Sequence, residues 1–270
     1  MGTDEWLDAR RRQITPTAGE QADVQAAIDT VRATIQREYP IAELHPCGSA
    51  AKRTMLQGRR EADVVLTLRG APTPQTLDRF RDALAQAPDV ESATKLHKAV
   101  AVRFKNGVSV DVLPAAENGL TDPGGSIPRK HRHALDGPAH VDWFEREGHR
   151  HGAHDVVRLA KDWRNSNGLS DLSSVGLEVL VVNVLQSTGA QGLGARFSAV
   201  LEQLAAGRIT VQDPSRSGQR INDLEPAAKA KVMAAAQASL EHLRRGEPHR
   251  AFAGPNYPSS LRGIADTPLA

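Results

Sequence analysis

From Gly48 to Asp63 the chain reads G-S-A-A-K-R-T-M-L-Q-G-R-R-E-A-D, and a lone Asp111 follows in V-S-V-D-V-L-P. A small-residue turn, a hydroxyl at Thr54 and carboxylates at Glu61 and Asp63 are the parts that metal-dependent nucleotide transfer uses. Side chains two apart on a strand share a face, so Glu61 and Asp63 are placed to hold one pair of cations. Asp111, on a second alternating strand, would complete the cluster. Magnesium takes oxygen ligands and keeps several waters, so two or three carboxylates plus phosphate oxygens suffice. One ion of such a pair brings an acceptor hydroxyl to the α-phosphate, and the other offsets the charge of the triphosphate and the departing pyrophosphate. Gly48 lets the backbone approach phosphates closely. Ser49 and the amides that follow it can donate to phosphate oxygens, with Lys52 and Arg53 nearby.

Each of these features also has a plain structural reading. A Gly-Ser turn occurs in many loops, an E-x-D pair is a solvated strand edge, and a strand Asp serves as a cap or ion-pair partner. Their joint order carries the functional reading. Asp63 and Asp111 sit against the apolar runs V-V-L and V-L-P, where an unpaired charge is costly.

Several elements must position these residues. Thr3 to about Gln13 reads as a short amphipathic helix, with Arg10, Arg11 and Arg12 as a solvated face or, as the second reading, part of a nucleic-acid groove. Gly19 to Tyr39 reads as a longer helix with Val24, Ile28, Val31 and Ile35 on one side. A strand from Ile41 leads to the Gly48-Ser49 turn, a short helix near Ala51 to Gln57, and an apolar strand over Ala62 to Leu68. Pro72 and Pro74 open a helix with Leu77, Phe80 and Leu84 inward. Ala99 to Phe104 and Val108 to Leu113 read as a hairpin turned by Asn106-Gly107. Asn118 to Arg129 is rich in Gly, Pro, Asp and Ser and marks a boundary. Beyond it lie four helices: His149 to Asn165, Ser173 to Gln186, Gly194 to Gly207 and Leu224 to Arg245. The fold class read from this order is α+β. A mixed-sheet catalytic core with N-terminal helices spans 1–120, a helical lobe 121–255, and a loose tail 256–270.

Composition narrows the function. At 270 residues there is room for two lobes. A formal net charge of +2 demands no nucleic-acid partner. Aromatics at 4% leave few platforms on which to stack bases. The single cysteine, Cys47, rules out an internal disulfide and a multi-thiolate zinc site, and reads as a small buried residue. No apolar window approaches a membrane span, so the cytoplasm is the expected compartment. Histidines gather at His131, His133, His140, His149, His151 and His154. Zinc is conceivable for His151 and His154, but a polar loop and helix start explain them more simply. His131, with Lys130 and Arg132, is a candidate phosphate or acceptor contact.

The segment Gly48 to Leu68 resembles the 2′-5′-oligoadenylate synthetases, in which Gly-Ser, basic residues, Thr, Gly and D-x-D precede an apolar strand. V-S-V-D-V-L-P-A, from Val108 to Ala115, resembles that family's third-carboxylate strand. V-V-R-L-A-K-D-W, ending at Trp163, resembles its helix with a phosphate-contacting lysine, here Lys161. S-S-V-G-L-E-V-L resembles the next helix, whose S-x-x-L-E pattern falls on Ser174, Leu177 and Glu178. Asp213-Pro214 and Asn222 resemble its D-P…N element. The wider group includes the bacterial cGAS/DncV-like nucleotidyltransferases of antiphage signalling, which the compact size also resembles.

This resemblance implies a polymerase-β-like nucleotidyltransferase core and a helical second lobe, with the nucleotide between them. It implies synthesis of linear or cyclic oligonucleotide second messengers from ATP or other NTPs, with two Mg²⁺ or Mn²⁺ ions. By the same resemblance Glu61, Asp63 and Asp111 hold metal, and Gly48, Ser49, Thr54, Lys161 and Ser174 contact nucleotide. An activating nucleic acid or regulatory protein is a further implied partner, and nothing in the chain fixes an oligomeric state. Two features depart from the pattern. The first carboxylate is Glu61 where the family has Asp, a reach longer by about 1.5 Å, which reads as retuned or as lost activity. The segment before the lysine helix does not align, so base recognition is not carried over. A transferase acting on tRNA or protein, and a nucleotide-binding homologue without turnover, are the competing readings.

Overall fold

The computed structural model describes residues 2–39, 41–70, 72–116, 137–215 and 218–254. Lys130, His131, Arg132, His133, the Asn118 to Arg129 loop and the 256–270 tail lie outside the described residues. The chain divides into two units, one over Pro16–Glu145 and the other joining Met1–Thr15 to Arg146–Ala270.

In the first unit, helix α2 (Ala18–Glu38) starts at Thr17, whose hydroxyl accepts from the Glu20 N–H at 3.1 Å while the Glu20 carboxylate accepts from the Thr17 N–H at 2.9 Å. This reciprocal cap satisfies two amides that the helix itself leaves open. The buried stripe Val24, Ala27, Ile28, Val31 and Ile35 then faces a five-stranded sheet. The strands are β1 (Ile41–Cys47), β2 (Glu61–Leu68), β3 (Val90–Lys95), β4 (Val100–Phe104) and β5 (Ser109–Ala116), in the order β1-β2-β5-β4-β3. Only β2 and β5 run parallel; the other neighbours are antiparallel. Helix α4 (Pro74–Ala85) covers the same face as α2 through Leu77, Phe80 and Leu84. Burying each such side chain contributes roughly 1.5–3 kcal/mol. Residues of even number on β2 and β5, namely Ala62, Val64, Leu66, Val110 and Val112, point into this core. The odd-numbered ones point to the other face.

Two local readings change. The helix read near Ala51 to Gln57 is instead α3 (Gly48–Ala51), beginning at the glycine itself. Strand β3, with its exposed Glu91 and Lys95, lacks the apolar alternation that marks a strand and adds an unforeseen edge. A further short helix, α5 (Gly137–Trp143), packs on β1, where Gly137 leaves room for the Cys47 sulfur.

In the second unit, α1 (Thr3–Ile14) packs with α6 (His154–Ser166), α8 (Leu193–Ala205) and α10 (Pro248–Ala251). Helix α7 (Ser174–Ser187) packs on α6 and α8, and α9 (Pro226–Arg244) on α8. The strands β6 (Val211–Gln212) and β7 (Arg220–Ile221) form a small ribbon. Trp163, Phe197 and Phe252 are fully buried, and the Trp163 indole donates to the Ser239 hydroxyl at 2.9 Å. The division read from the sequence kept α1 with the sheet; in the structure it sits with the helices. Its buried residues are Leu7, Arg10 and Ile14, so Arg10 is not part of a solvated face. Its guanidinium grips Asp162 of α6 with both forks, at 2.8 and 2.9 Å.

Candidate active site

The parallel pairing of β2 and β5 sets Asp63 directly opposite Asp111, and Glu61 opposite Ser109. Because parallel neighbours lie about 4.8 Å apart, the two aspartates are adjacent on one face. On the other side of β2, Cys47 pairs with Asp63. The row Cys47, Asp63, Asp111 therefore crosses three strands on the face opposite the α2–α4 core. Farther along that face, Cys47, Val65, Leu113 and Ala115 form a small apolar cluster.

The carboxylates stand at the edge of this cluster. Glu61 and Asp63 are exposed and Asp111 is half-buried. Burial pushes the Asp111 carboxyl above its ordinary range, and the charge of Glu61 raises it further. Burial and then the charge of Asp63 push the Cys47 thiol up to about 12. This sulfur is an unreactive neighbour of the site rather than a nucleophile.

Gly48 takes φ +67°, and a β-carbon on it would lie 1.9 Å from Asp63 Oδ2. The Asp63 carboxylate thus rests against the bare backbone at the start of α3. A glycine is required here both for its conformation and for the space. Ser49 follows at the surface of this turn, half-buried, and its carbonyl accepts from the Thr54 N–H at 2.9 Å. Thr54 and Lys52 are buried, so both help to build the loop between α3 and β2. Arg53 is exposed at φ +53°, with Glu145 3.8 Å away. The far end of the loop is tied to α2: the Gly58 N–H donates to Glu20 at 2.8 Å and Arg60 reaches Asp23 at 3.2 Å. These ties fix where β2, and with it Glu61, begins.

The set is made of oxygen donors, and like charges gathered on one face are what a divalent ion would offset. Among the described residues, no three His, Cys, Asp or Glu side chains converge on one point as a ready-made metal site. Magnesium binds through one or two carboxylates, its own waters and substrate phosphates rather than a full protein cage, and Asp63 and Asp111, adjacent across β2 and β5, are such a pair. The residues fit such an ion in that sense.

In the helical unit, Lys161 of α6 is buried and donates to Glu178 of α7 at 2.5 Å. Ser173, not Ser174, caps α7: its hydroxyl accepts from the Gly176 N–H at 3.0 Å. Ser174 Oγ accepts from Arg164 at 2.8 Å. Asn222 accepts from both the N–H and the hydroxyl of Ser173, at 2.9 and 2.8 Å, and lies so close to Gly176 that a β-carbon there would be 2.2 Å away. Arg164 was not singled out in the sequence. Its signal was its position three residues after Lys161, on the helix side that meets α7.

The order of the sheet, the α-helices on one face of it and the helical unit give a polymerase-β-like fold. Among solved structures, that of the Cid1 poly(U) polymerase with Mg 3′-dATP bound aligns with a TM-score of 0.71 at 14% identity, over 93% of this chain and 98% of that one. Escherichia coli CdnC with ATP aligns at 0.70 and 16%, over 95% and 99%. The Bradyrhizobium diazoefficiens CD-NTase CdnG in complex with GTP aligns at 0.65 and 16%, over 91% and 95%. In sequence, a homologue is the cyclic AMP-AMP-AMP synthase of Escherichia coli, 29% identical over 202 residues. That match takes in 65% of this chain and 62% of the synthase, so less than two thirds of the relative's length is represented. No protein-family model matches the chain. Among the described residues no helix is long and apolar enough to cross a membrane.

Proposed function

We propose that the protein is a metal-dependent nucleotidyltransferase that joins ATP or other NTPs into linear or cyclic oligonucleotide second messengers for antiviral defence signalling. The observation that carries this reading is the Asp63–Asp111 register across two parallel strands, with Gly48 beneath Asp63. The likeness to the cyclic AMP-AMP-AMP synthase supports the product class. In this reading Glu61, Asp63 and Asp111 hold Mg²⁺ or Mn²⁺, and the protein works in the cytoplasm, where both ions and NTPs are present. When bound, the ions activate the acceptor hydroxyl and neutralise the leaving pyrophosphate. Gly48 and Ser49 receive the triphosphate at the α3 turn, with Thr54 holding that turn in shape. Ser174, oriented by Arg164, and Lys161, shared with Glu178, are the nucleotide contacts we propose for the helical unit. CdnC is described in complex with a HORMA protein, and a regulatory protein of this kind is the partner we propose.

Purified protein incubated with labelled NTPs and Mg²⁺ or Mn²⁺, with and without tRNA, tests this. Small phosphatase-resistant oligonucleotides are expected, lost on adding EDTA and in Asp63→Ala. Label appearing on tRNA or on the protein would instead establish the macromolecule-modifying reading. ATP binding with no product would establish the impaired homologue.

A further inference from the structure

We propose that Arg60 is a positioning residue: it clasps the start of β2 so that Glu61 can serve the divalent ion, and it thereby sets the affinity of the site for metal. The inference rests on the metal role proposed above for Glu61, Asp63 and Asp111. Of these three, Glu61 has the least support from the sheet. Asp63 is flanked by Cys47 of β1 and Asp111 of β5, and Asp111 by Asp63 of β2 and Ala101 of β4. The pairing of β2 with β1 stops at Asp63. Glu61 is the first residue of β2, exposed, with a strand neighbour on one side alone, Ser109. A strand end paired on one side frays readily unless something ties it down.

Arg60 supplies the tie with both its backbone and its side chain. Its carbonyl accepts from the Ser109 N–H at 2.9 Å. Its Nη1 donates to Asp23 of α2 and to the Asn106 carbonyl, each at 3.2 Å, and its Nε lies 3.7 Å from Glu20. Asn106 belongs to the tight turn between β4 and β5, where the Gly107 N–H donates to the Phe104 carbonyl at 2.9 Å. Glu20 is buried and also accepts from the Gly58 N–H at 2.8 Å. One side chain therefore joins α2, the approach to β2 and the turn that leads into β5, the strand of Asp111. The planar fork of a guanidinium holds several acceptors in fixed directions, which an ammonium does not.

The sign of the charge separates this reading from a plain one. Arg60 is a cation next to a group of carboxylates. Were it only a solvated charge, removing it would leave metal binding unchanged, or tighten it by relieving repulsion of the incoming ion. A clasp requires the opposite: Glu61 loosens and binding weakens. The ion pairs of Arg60 are partly exposed, and such pairs add little to global stability. A loss of metal would therefore not be a consequence of unfolding.

Titrating Mn²⁺ into the full chain with the non-reacting analogue α,β-methylene ATP, and following free Mn²⁺ by electron paramagnetic resonance, tests the clasp without turnover. Arg60→Met should weaken Mn²⁺ binding about tenfold, as loss of an outer partner of a metal ligand does, and leave thermal unfolding nearly unchanged. Arg60→Lys, which keeps the charge but not the fork, should lose less. Adding Arg60→Met to Glu61→Ala should weaken binding no further, because Arg60 acts through Glu61. Equal or tighter Mn²⁺ binding in Arg60→Met, or a further loss in the double variant, would overturn the inference. The labelled-NTP assay keeps the two proposals apart. Mn²⁺ binding that depends on Arg60 without any oligonucleotide product would uphold the clasp and sink the proposed reaction. Product from a chain whose Mn²⁺ affinity is indifferent to Arg60 would do the reverse.

Discussion

At Gly48 the backbone sits at φ +67° with the Asp63 carboxylate against its Cα. Gly48→Ala meets two penalties there: left-handed backbone strain of about 1–2 kcal/mol and a clash that pushes Asp63 aside. Thermal unfolding should shift down by that much, and pyrophosphate release should fall about 100-fold, the cost of a misplacement near 1 Å. Release at the wild-type rate would show that Asp63 does not act from this position. Glu61 makes a second test. Glu61→Ala should abolish release, whereas Glu61→Asp, which restores the D-x-D pattern of the 2′-5′-oligoadenylate synthetases, should retain or raise it; a dead Glu61→Asp would show that the backbone has adapted to the longer side chain. The carboxylates were legible because alternation along a strand is a local property. The Gly48–Asp63 contact was not, since it depends on how β1 pairs with β2. Arg10 lay between these cases. Leu7, Arg10 and Ile14 follow helical spacing, so its inward face was written in the sequence but hidden within a run of three arginines.

Helices α6 and α7 are joined by Lys161 and Glu178, both almost fully buried. A buried pair contributes little net stability, yet removing one partner strands the other charge and costs about 3–5 kcal/mol. Urea unfolding should therefore show a large loss in Lys161→Met and in Glu178→Leu, and a much smaller one in the double variant. Additive losses would mean that the two side chains are not coupled. The pairing also constrains the phosphate role proposed for Lys161, because its ammonium is shared with a carboxylate. Both helices could be read from their apolar spacing, within a few residues of their ends. The details at their junction could not. The capping residue is Ser173 because Asn222, far along the chain, clasps it, and no local signal announces such a partner. Strand β3 escaped notice for the opposite reason, since an exposed edge strand has no buried face to pattern.

Across the whole chain, the least legible feature was the membership of α1, which lies in a unit that joins Met1–Thr15 to Arg146–Ala270 rather than in that of the sheet that follows it in sequence. The Arg10–Asp162 pair is the buried polar link between α1 and α6, beside a more exposed contact of Arg11 with Asp155 at 3.7 Å. Burial holds the Asp162 carboxyl above its ordinary range, against the opposing pull of Arg10. Arg10→Met removes that pull, so the folded-state pKa of Asp162 rises further. A carboxyl whose folded pKa exceeds its unfolded value favours folding at low pH, where it is protonated, and that contribution is lost as pH rises through the folded pKa. The destabilisation caused by Arg10→Met should therefore be small near pH 4 and grow toward neutrality, where an uncompensated buried carboxylate costs about 3–5 kcal/mol. Hydrogen exchange at pH 5 and 7.5 measures this. Protection in α1 and α6 should drop more at the higher pH, while the amides of β2 and β5 keep theirs. A loss independent of pH would show that the Asp162 charge plays no part in holding α1, and that Asp162 stays neutral.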